Sequence, residues 1–378
     1  MDLKTYEYVH QSGWSNALDP AMDSEQTLVI VFGPSSLATS HPALNELFRT
    51  YPSARFVGCS TAGEIFGSRI QDDSLAVAII RFEHATLQLS CAPITAEGSY
   101  AAGESISRQL LSPGLRTVFV LSDGLQVNGS ELLRGIGSVL PRTITVFGGL
   151  AADADRFSRT WIIKDRALQS GCVSAVGLYG DGLRIGHGSK GGWDSFGVER
   201  LVTRSDRNVL YELDGQPALQ LYKEYLGDRA DGLPATGLLF PLALRTGDDV
   251  EDRLVRTILA VDEAAQSLTF AGDIPQGSYA QLMHANFDRL IEGAGQAALS
   301  AILKNTDGAA TLAVAISCVG RRLILGQRAE EETEATLEIL PPGTQQIGFY
   351  SYGEISPFAD GRCDLHNQTM TLTTISEA

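Results

Sequence analysis

The chain of 378 residues has only five cysteines, at 59, 91, 172, 318 and 363. They are too scattered for a zinc spacing, and an odd number does not close a disulfide framework. A reducing cytoplasm is the simplest home for them. No apolar run reaches the about 18 residues that a spanning helix needs. No basic stretch followed by an apolar one opens the chain, so no signal peptide is expected. Positive charge is scarce: 29 Lys and Arg face 45 Asp and Glu, a net charge of −16. That balance disfavours nonspecific binding to nucleic acid or anionic lipid. A Walker A loop, His-Glu-x-x-His and Cys-x-x-Cys-His are also missing. Nothing therefore points to a nucleotide, zinc or c-type haem enzyme.

Glycine, by contrast, is abundant at 39 residues, and some of it is patterned. Residues 58–65 read Gly-Cys-Ser-Thr-Ala-Gly-Glu-Ile and residues 348–355 read Gly-Phe-Tyr-Ser-Tyr-Gly-Glu-Ile. Gly148-Gly149-Leu150-Ala151-Ala152-Asp153 is a weaker echo that keeps an acid but not the second glycine. Apolar runs beginning at Thr27, Thr117 and Thr311 precede these glycines by 31, 31 and 37 residues. Each unit reads as a strand, a loop, a helix and a second strand ending in glycine, an internal repeat. The 58 and 348 motifs are expected at equivalent strand ends.

The continuous apolar run at 27–32 suggests a strand buried on both faces, whereas 85–91 alternates with period two. His41-Pro42 starts a helix, and Asn128-Gly129-Ser130 caps another. Residues 161–163 and 172–179 read as a hairpin. Together these give an α/β fold with mixed sheets, two domains at 25–210 and 215–378, repeated strand–helix–strand units, and no doubly wound sheet. Tyr279 to Leu303 reads as mostly helical. Cys363 to Thr373 reads as one alternating strand with Asp364, His366, Gln368, Met370 and Leu372 on one face.

The chemistry in this pattern is sparse. Glu64 and Glu354 each follow a glycine at a strand mouth. There they could receive an amine or a guanidinium, or cap backbone donors. Cys59 and Cys318 could be nucleophiles, but no Cys–His pairing is evident, and free cysteine also serves as a small buried hydrophobe. His366 could ligate a metal or haem iron through one ring nitrogen, or be a hydrogen-bonded edge-strand histidine. His187, in a glycine-rich loop, and His284 carry weaker signals.

Four stretches, Val57 to Ile65, Phe147 to Ala151, Ser317 to Arg322, and Gly348 to Glu354, resemble the FIST family, with an N-terminal and a C-terminal FIST domain. The likeness covers about 25–210 and 215–360 and is greatest to a stand-alone branch that binds haem and senses nitric oxide beside a histidine kinase. It implies an intracellular sensory protein, not an enzyme. Its output would run through a partner histidine kinase or a cyclic-di-nucleotide pathway. Haem would be the cofactor, with His366, or failing that His187, as axial ligand. The resemblance also leaves open an amino acid or other small metabolite as ligand. Glu64, Glu354, Arg321 and Arg322 suit a metabolite's charges, and Tyr350 or Tyr352 could line either pocket. A cysteine-dependent enzyme is the remaining alternative.

Overall fold

The computed structural model describes residues 1–245, 254–303, 308–358 and 361–378. Its plan is one unit repeated three times, and the apolar strands seen in the sequence are its centre. Thr27–Pro34 pairs in parallel with Arg55–Thr61, Leu115–Ser122 with Thr145–Leu150, and Leu312–Cys318 with Gln345–Ser351. Helices cross between the members of each pair: Pro42–Thr50, Gly129–Gly137, and Val319–Leu325 followed by Ala329–Ile339. The first begins on a proline, whose fixed φ suits an opening turn, and buries Ala43, Leu44 and Leu47 at helical spacing. The second is capped by Asn128, whose side-chain oxygen accepts from Glu131 N at 3.1 Å.

Antiparallel strands complete each unit. Ser74–Arg81, Cys172–Tyr179 and Met370–Glu377 flank the first strand of their own pair. Asp2–Val9, Thr86–Pro93 and Leu183–Lys190 lie outside these. The sheets are thus mixed, and no doubly wound arrangement arises.

The units are locked by exchange of one short strand. Glu64–Phe66 leaves the first unit and pairs with Gln345–Ser351 of the third. Gly353–Pro357 leaves the third and pairs with Thr145–Leu150 of the second. Ile162–Lys164 leaves the second and pairs with Arg55–Thr61 of the first, which closes the cycle. Inward side chains of all three meet in one core, where Phe32 packs on Phe349 at 4.6 Å and Phe119 stacks on Phe147 at 4.7 Å. Burying each such ring contributes about 1.5–3 kcal/mol.

Gly58, Gly148 and Gly348 lie opposite Val31, Val120 and Ala315 in the three parallel pairs. A Cβ on them would come 2.2, 1.8 and 1.8 Å from the carbonyl oxygens of those residues. The strands approach too closely there for any side chain, and this is why glycine recurs.

Residues 193–285 interrupt the third unit, between Leu183–Lys190 and the helix Phe287–Ala301. Their described part, 193–245 and 254–285, forms antiparallel sheet on Ala218–Leu226 with a separate apolar core. The third unit therefore runs across 210–215: its outer strand, Leu183–Lys190, pairs with Met370–Glu377. Two expectations are corrected. Tyr279–Ala285 is a strand, because it sits between Trp193–Asp206 and Leu242–Arg245 and bonds to both. The helix begins only at Phe287, after Asn286 caps it by accepting from Arg289 N at 3.3 Å. The tail is two strands, Cys363–His366 and Met370–Glu377, joined by a turn in which Gln368 has φ +63°. The single alternation of faces ends at that turn.

Candidate functional site

Register fixes which residues correspond. Glu64 lies opposite Phe349, Glu354 opposite Gly149, and Ile162 opposite Cys59. The two glutamates are therefore equivalent, and the third copy carries isoleucine. Asp153 belongs instead to a longer loop between Leu150 and Ile162.

The glutamates are held alike. Glu64 accepts from Thr61 Oγ1 on one oxygen, and from Ser74 N and Ser74 Oγ, both at 3.0 Å, on the other. Glu354 accepts from Ser351 Oγ at 2.8 Å on one oxygen, and from Thr369 N at 3.2 Å and Thr369 Oγ1 at 2.9 Å on the other. Both carboxyls are buried. Burial pushes Glu64 up to about 7 and Glu354 up to about 8, against the hydrogen bonds that favour charge.

Glu64 differs in bordering a cavity of about 420 Å³. All three units contribute to its walls: Glu64, Asp72 and Asp73 from the first, Ala154 and Arg156 from the long loop of the second, and Arg322 from the third. Arg322 grips both oxygens of Asp72 at 2.7 and 2.8 Å, donates to Ala62 O at 2.5 Å, and lies over the Tyr350 ring. Burial opposes its charge, but the Asp72 contact outweighs this and raises its pKa. The same bonds lower Asp72. Arg156 is exposed, and its guanidinium makes one hydrogen bond among the described residues, to Ser35 Oγ at 3.0 Å. Asp73 makes no hydrogen bond or ion pair among the described residues. A free acid and a nearly free guanidinium thus border one small cavity.

The backbone around it is strained. Asp73, Ala154 and Phe157 have φ of +59°, +64° and +47°. Each such non-glycine residue costs about 1–2 kcal/mol. The loop's strain is held by Asp153, which accepts from Ser158 N and Arg159 N at 2.9 Å and from Tyr352 Oη. Strain that its surroundings enforce is common at ligand sites.

The FIST N domain profile matches residues 27–216, and the FIST C domain profile matches residues 218–357. The chain belongs to the FIST family. FIST domains are sensory ligand-binding domains of signalling proteins. An uncharacterized protein of Methanocaldococcus jannaschii is 27% identical over 333 residues, covering 80% of this chain and 60% of that one. Uncharacterized proteins of Mycobacterium bovis and Mycobacterium tuberculosis are 26% identical over 267 residues, covering 67% of this chain and 66% of theirs. The chain thus spans about 60–66% of the length of these relatives. A cyanuric acid hydrolase from A. caulinodans aligns over 99% of both chains at 9% identity, with a TM-score of 0.36, too weak a likeness to speak for function.

Within this FIST chain the expected ligand residues separate. Glu64 and Arg322 meet at the cavity. Arg321 does not: it is fully buried, with Nε and Nη2 on Glu332 Oε2 at 2.9 and 2.8 Å and further bonds to the carbonyls of Gly191 and Leu290. Tyr350 joins that network by donating to Glu332 Oε1 at 2.6 Å. Both are structural staples, because adjacent residues on a helix face different ways and Arg321 faces inward. Glu354 is enclosed beneath Thr369. Tyr352 secures the long loop through Asp153, and its ring stacks on Phe157 at 4.8 Å.

The two histidines expected to serve haem lie apart from this cavity. His366 Nε2 sits 3.0 Å from the Ser356 carbonyl, the ring packs against Phe358 at 4.9 Å, and burial lowers its pKa. A carbonyl only accepts, so Nε2 carries the proton and donates it. His187 lies on Leu183–Lys190 opposite Thr373. Neither histidine lines the cavity beside Glu64. No group of three or more His, Cys, Asp or Glu able to hold a metal occurs among the described residues.

Asp73 and Arg156 escaped the sequence reading. Neither sits in a recurring motif. The one available signal was the Asp72-Asp73-Ser74 turn before a strand.

Proposed function

We propose that this FIST chain senses a small zwitterionic metabolite of the α-amino-acid type, bound in the cavity beside Glu64. The supporting observation is that Arg156, whose guanidinium makes one hydrogen bond among the described residues, borders the same small cavity as Asp73, which has no hydrogen-bond or ion-pair partner among them. A carboxylate suits the guanidinium fork, and an ammonium suits an acid. A volume of about 420 Å³ lies in the usual range for small-molecule sites. Because all three units supply walls, occupancy would bias how they pack, which is the property a sensory input needs. The output would pass to a separate signalling protein such as a histidine kinase.

The reading is of a sensor and not a catalyst. Cys59 and Cys318 are buried, and burial raises both thiols, so neither supplies a ready thiolate. Isothermal titration of the full chain with a panel of free amino acids tests the proposal. At least one should bind saturably, and Arg156→Ala should weaken it by about tenfold or more. If none binds, or if Arg156→Ala binds unchanged, the assignment fails.

A further inference from the structure

A second cavity, of about 670 Å³, shares no lining residue with the first. It lies where the inserted sheet meets the helix Gly129–Gly137 and the hairpin of Gly353–Pro357 and Cys363–His366. Its apolar walls include Leu133, Leu244, Leu254 and Phe358, and its polar centre is Arg256.

Arg256 is buried, with 2% of its surface exposed. Nε donates to Asp273 O at 3.1 Å and Nη1 to Leu365 O at 2.7 Å. Among the described residues Nη2 makes no hydrogen bond. It has only a long ion pair to Asp364 Oδ1, 3.8 Å away and beyond hydrogen-bond reach, and that oxygen already accepts from Leu365 N at 2.8 Å. The neighbouring charges are committed elsewhere. Arg134 binds Glu131 and, at 3.1 Å, Asp273, which also accepts from Asn128 Nδ2 at 3.0 Å. Arg362 has a partner of its own. The unmet group is therefore a buried cation. Guanidinium does not deprotonate in proteins, so the charge cannot be relieved by losing a proton. A buried charge without a full set of partners is costly, which leaves a place for an anion.

We propose that this cavity binds a small organic carboxylate with an apolar body, its carboxylate completing the hydrogen bonding of Arg256 and its body lying among Leu133, Leu244, Leu254 and Phe358. Such a ligand would tie the insert to the three-unit body, at a site separate from the amino-acid cavity.

The test uses 2-naphthoate and its neutral counterpart 2-naphthamide, titrated calorimetrically into the full chain. Naphthoate should bind saturably, and naphthamide about tenfold or more weakly, because a charge-assisted bond is lost. Arg256→Gln should abolish that preference. Gly137→Phe provides a control independent of Arg256: Gly137 lines the cavity, and a Cβ there meets nothing within 4 Å, so a bulky side chain starts from open space. Gly137→Phe should remove naphthoate binding without lowering the melting temperature and with any amino-acid binding unchanged, so failure here is separable from failure of the first site. Absence of naphthoate binding, equal binding of the two probes, or unchanged binding in Gly137→Phe overturns the proposal.

Discussion

Asp73 and Gln368 hold the same backbone conformation, φ +59° and +63°, each one residue before the hydroxyl that secures a buried glutamate. The insert makes them differ. It covers Gln368, whose Nε2 donates to Leu238 O at 3.2 Å and whose carbonyl accepts from Trp193 Nε1 at 2.8 Å. Asp73 stays open beside the cavity. Asp73→Asn keeps a residue that tolerates left-handed backbone. It should leave the urea midpoint nearly unchanged yet weaken amino-acid binding by about tenfold or more, as loss of a charged partner implies. Titration calorimetry beside urea denaturation checks both; unchanged affinity would remove Asp73 from the site.

The buried glutamates set a pH dependence. Their folded values, about 7 and about 8, lie above the ordinary 4.5. The folded chain therefore binds more protons than the unfolded chain across this window. Their contribution is full below pH 4.5 and is lost as pH rises through about 7 for Glu64 and about 8 for Glu354. Glutamine imitates the protonated acid, since Thr61 Oγ1 and Ser351 Oγ can turn to accept its amide proton. Glu64→Gln and Glu354→Gln should each flatten the fall in stability between pH 5 and 8.5, and together nearly remove it. Urea midpoints at the two pH values decide the matter; a double variant as pH-sensitive as the parent would refute the assignment.

Arg321 and Arg322 are neighbours with opposite duties. Removing Arg321 strands Glu332 in the core, and breaking such a buried pair costs about 3–5 kcal/mol. Arg322 pairs with Asp72, whose side chain is 66% exposed, so Arg322→Met should cost about 1 kcal/mol or less. Arg321→Met and Arg322→Met compared by chemical denaturation should differ accordingly. Equal losses would mean that the network around Glu332 is not what Arg321 supports.

Sequence exposed the parts of this molecule that backbone sterics dictate. The 58 and 348 motifs correspond because each first glycine meets a neighbouring carbonyl and each glutamate lies at the head of an exchanged strand, Glu64 first and Glu354 second. The third copy was obscured by its long loop: Asp153 mimics the missing acid, while the residue in register is Ile162. The insert at 193–285 breaks the third unit and hides the threefold plan. Apolar spacing in 279–303 also carries no mark of the sheet partners that turn its first part into a strand. The cavity was half legible. Glu64 and Arg322 belong to recognisable stretches, but Arg156 arrives on a loop whose path depends on Asp153 and Tyr352, residues far apart in the chain.

The three glycines give the most direct check of the repeat. At Gly148 the backbone has φ +147°, and a Cβ would lie 1.8 Å from Val120 O. At Gly348 the same contact would be 1.8 Å from Ala315 O, and at Gly58 2.2 Å from Val31 O. These obstacles are backbone atoms inside a paired sheet, so no side-chain rotation relieves them. Relief requires the parallel strands to separate, which breaks ladder bonds and loosens the shared core. Gly148→Ala and Gly348→Ala should each destabilise by about 3 kcal/mol or more, well beyond the usual effect of a point substitution. Gly137→Ala, where the added methyl meets nothing, should be neutral or stabilising by up to about 1 kcal/mol. Urea denaturation of the three variants measures the contrast. If Gly148→Ala and Gly348→Ala proved as mild as Gly137→Ala, close strand approach would not be what selects glycine in the repeated motif.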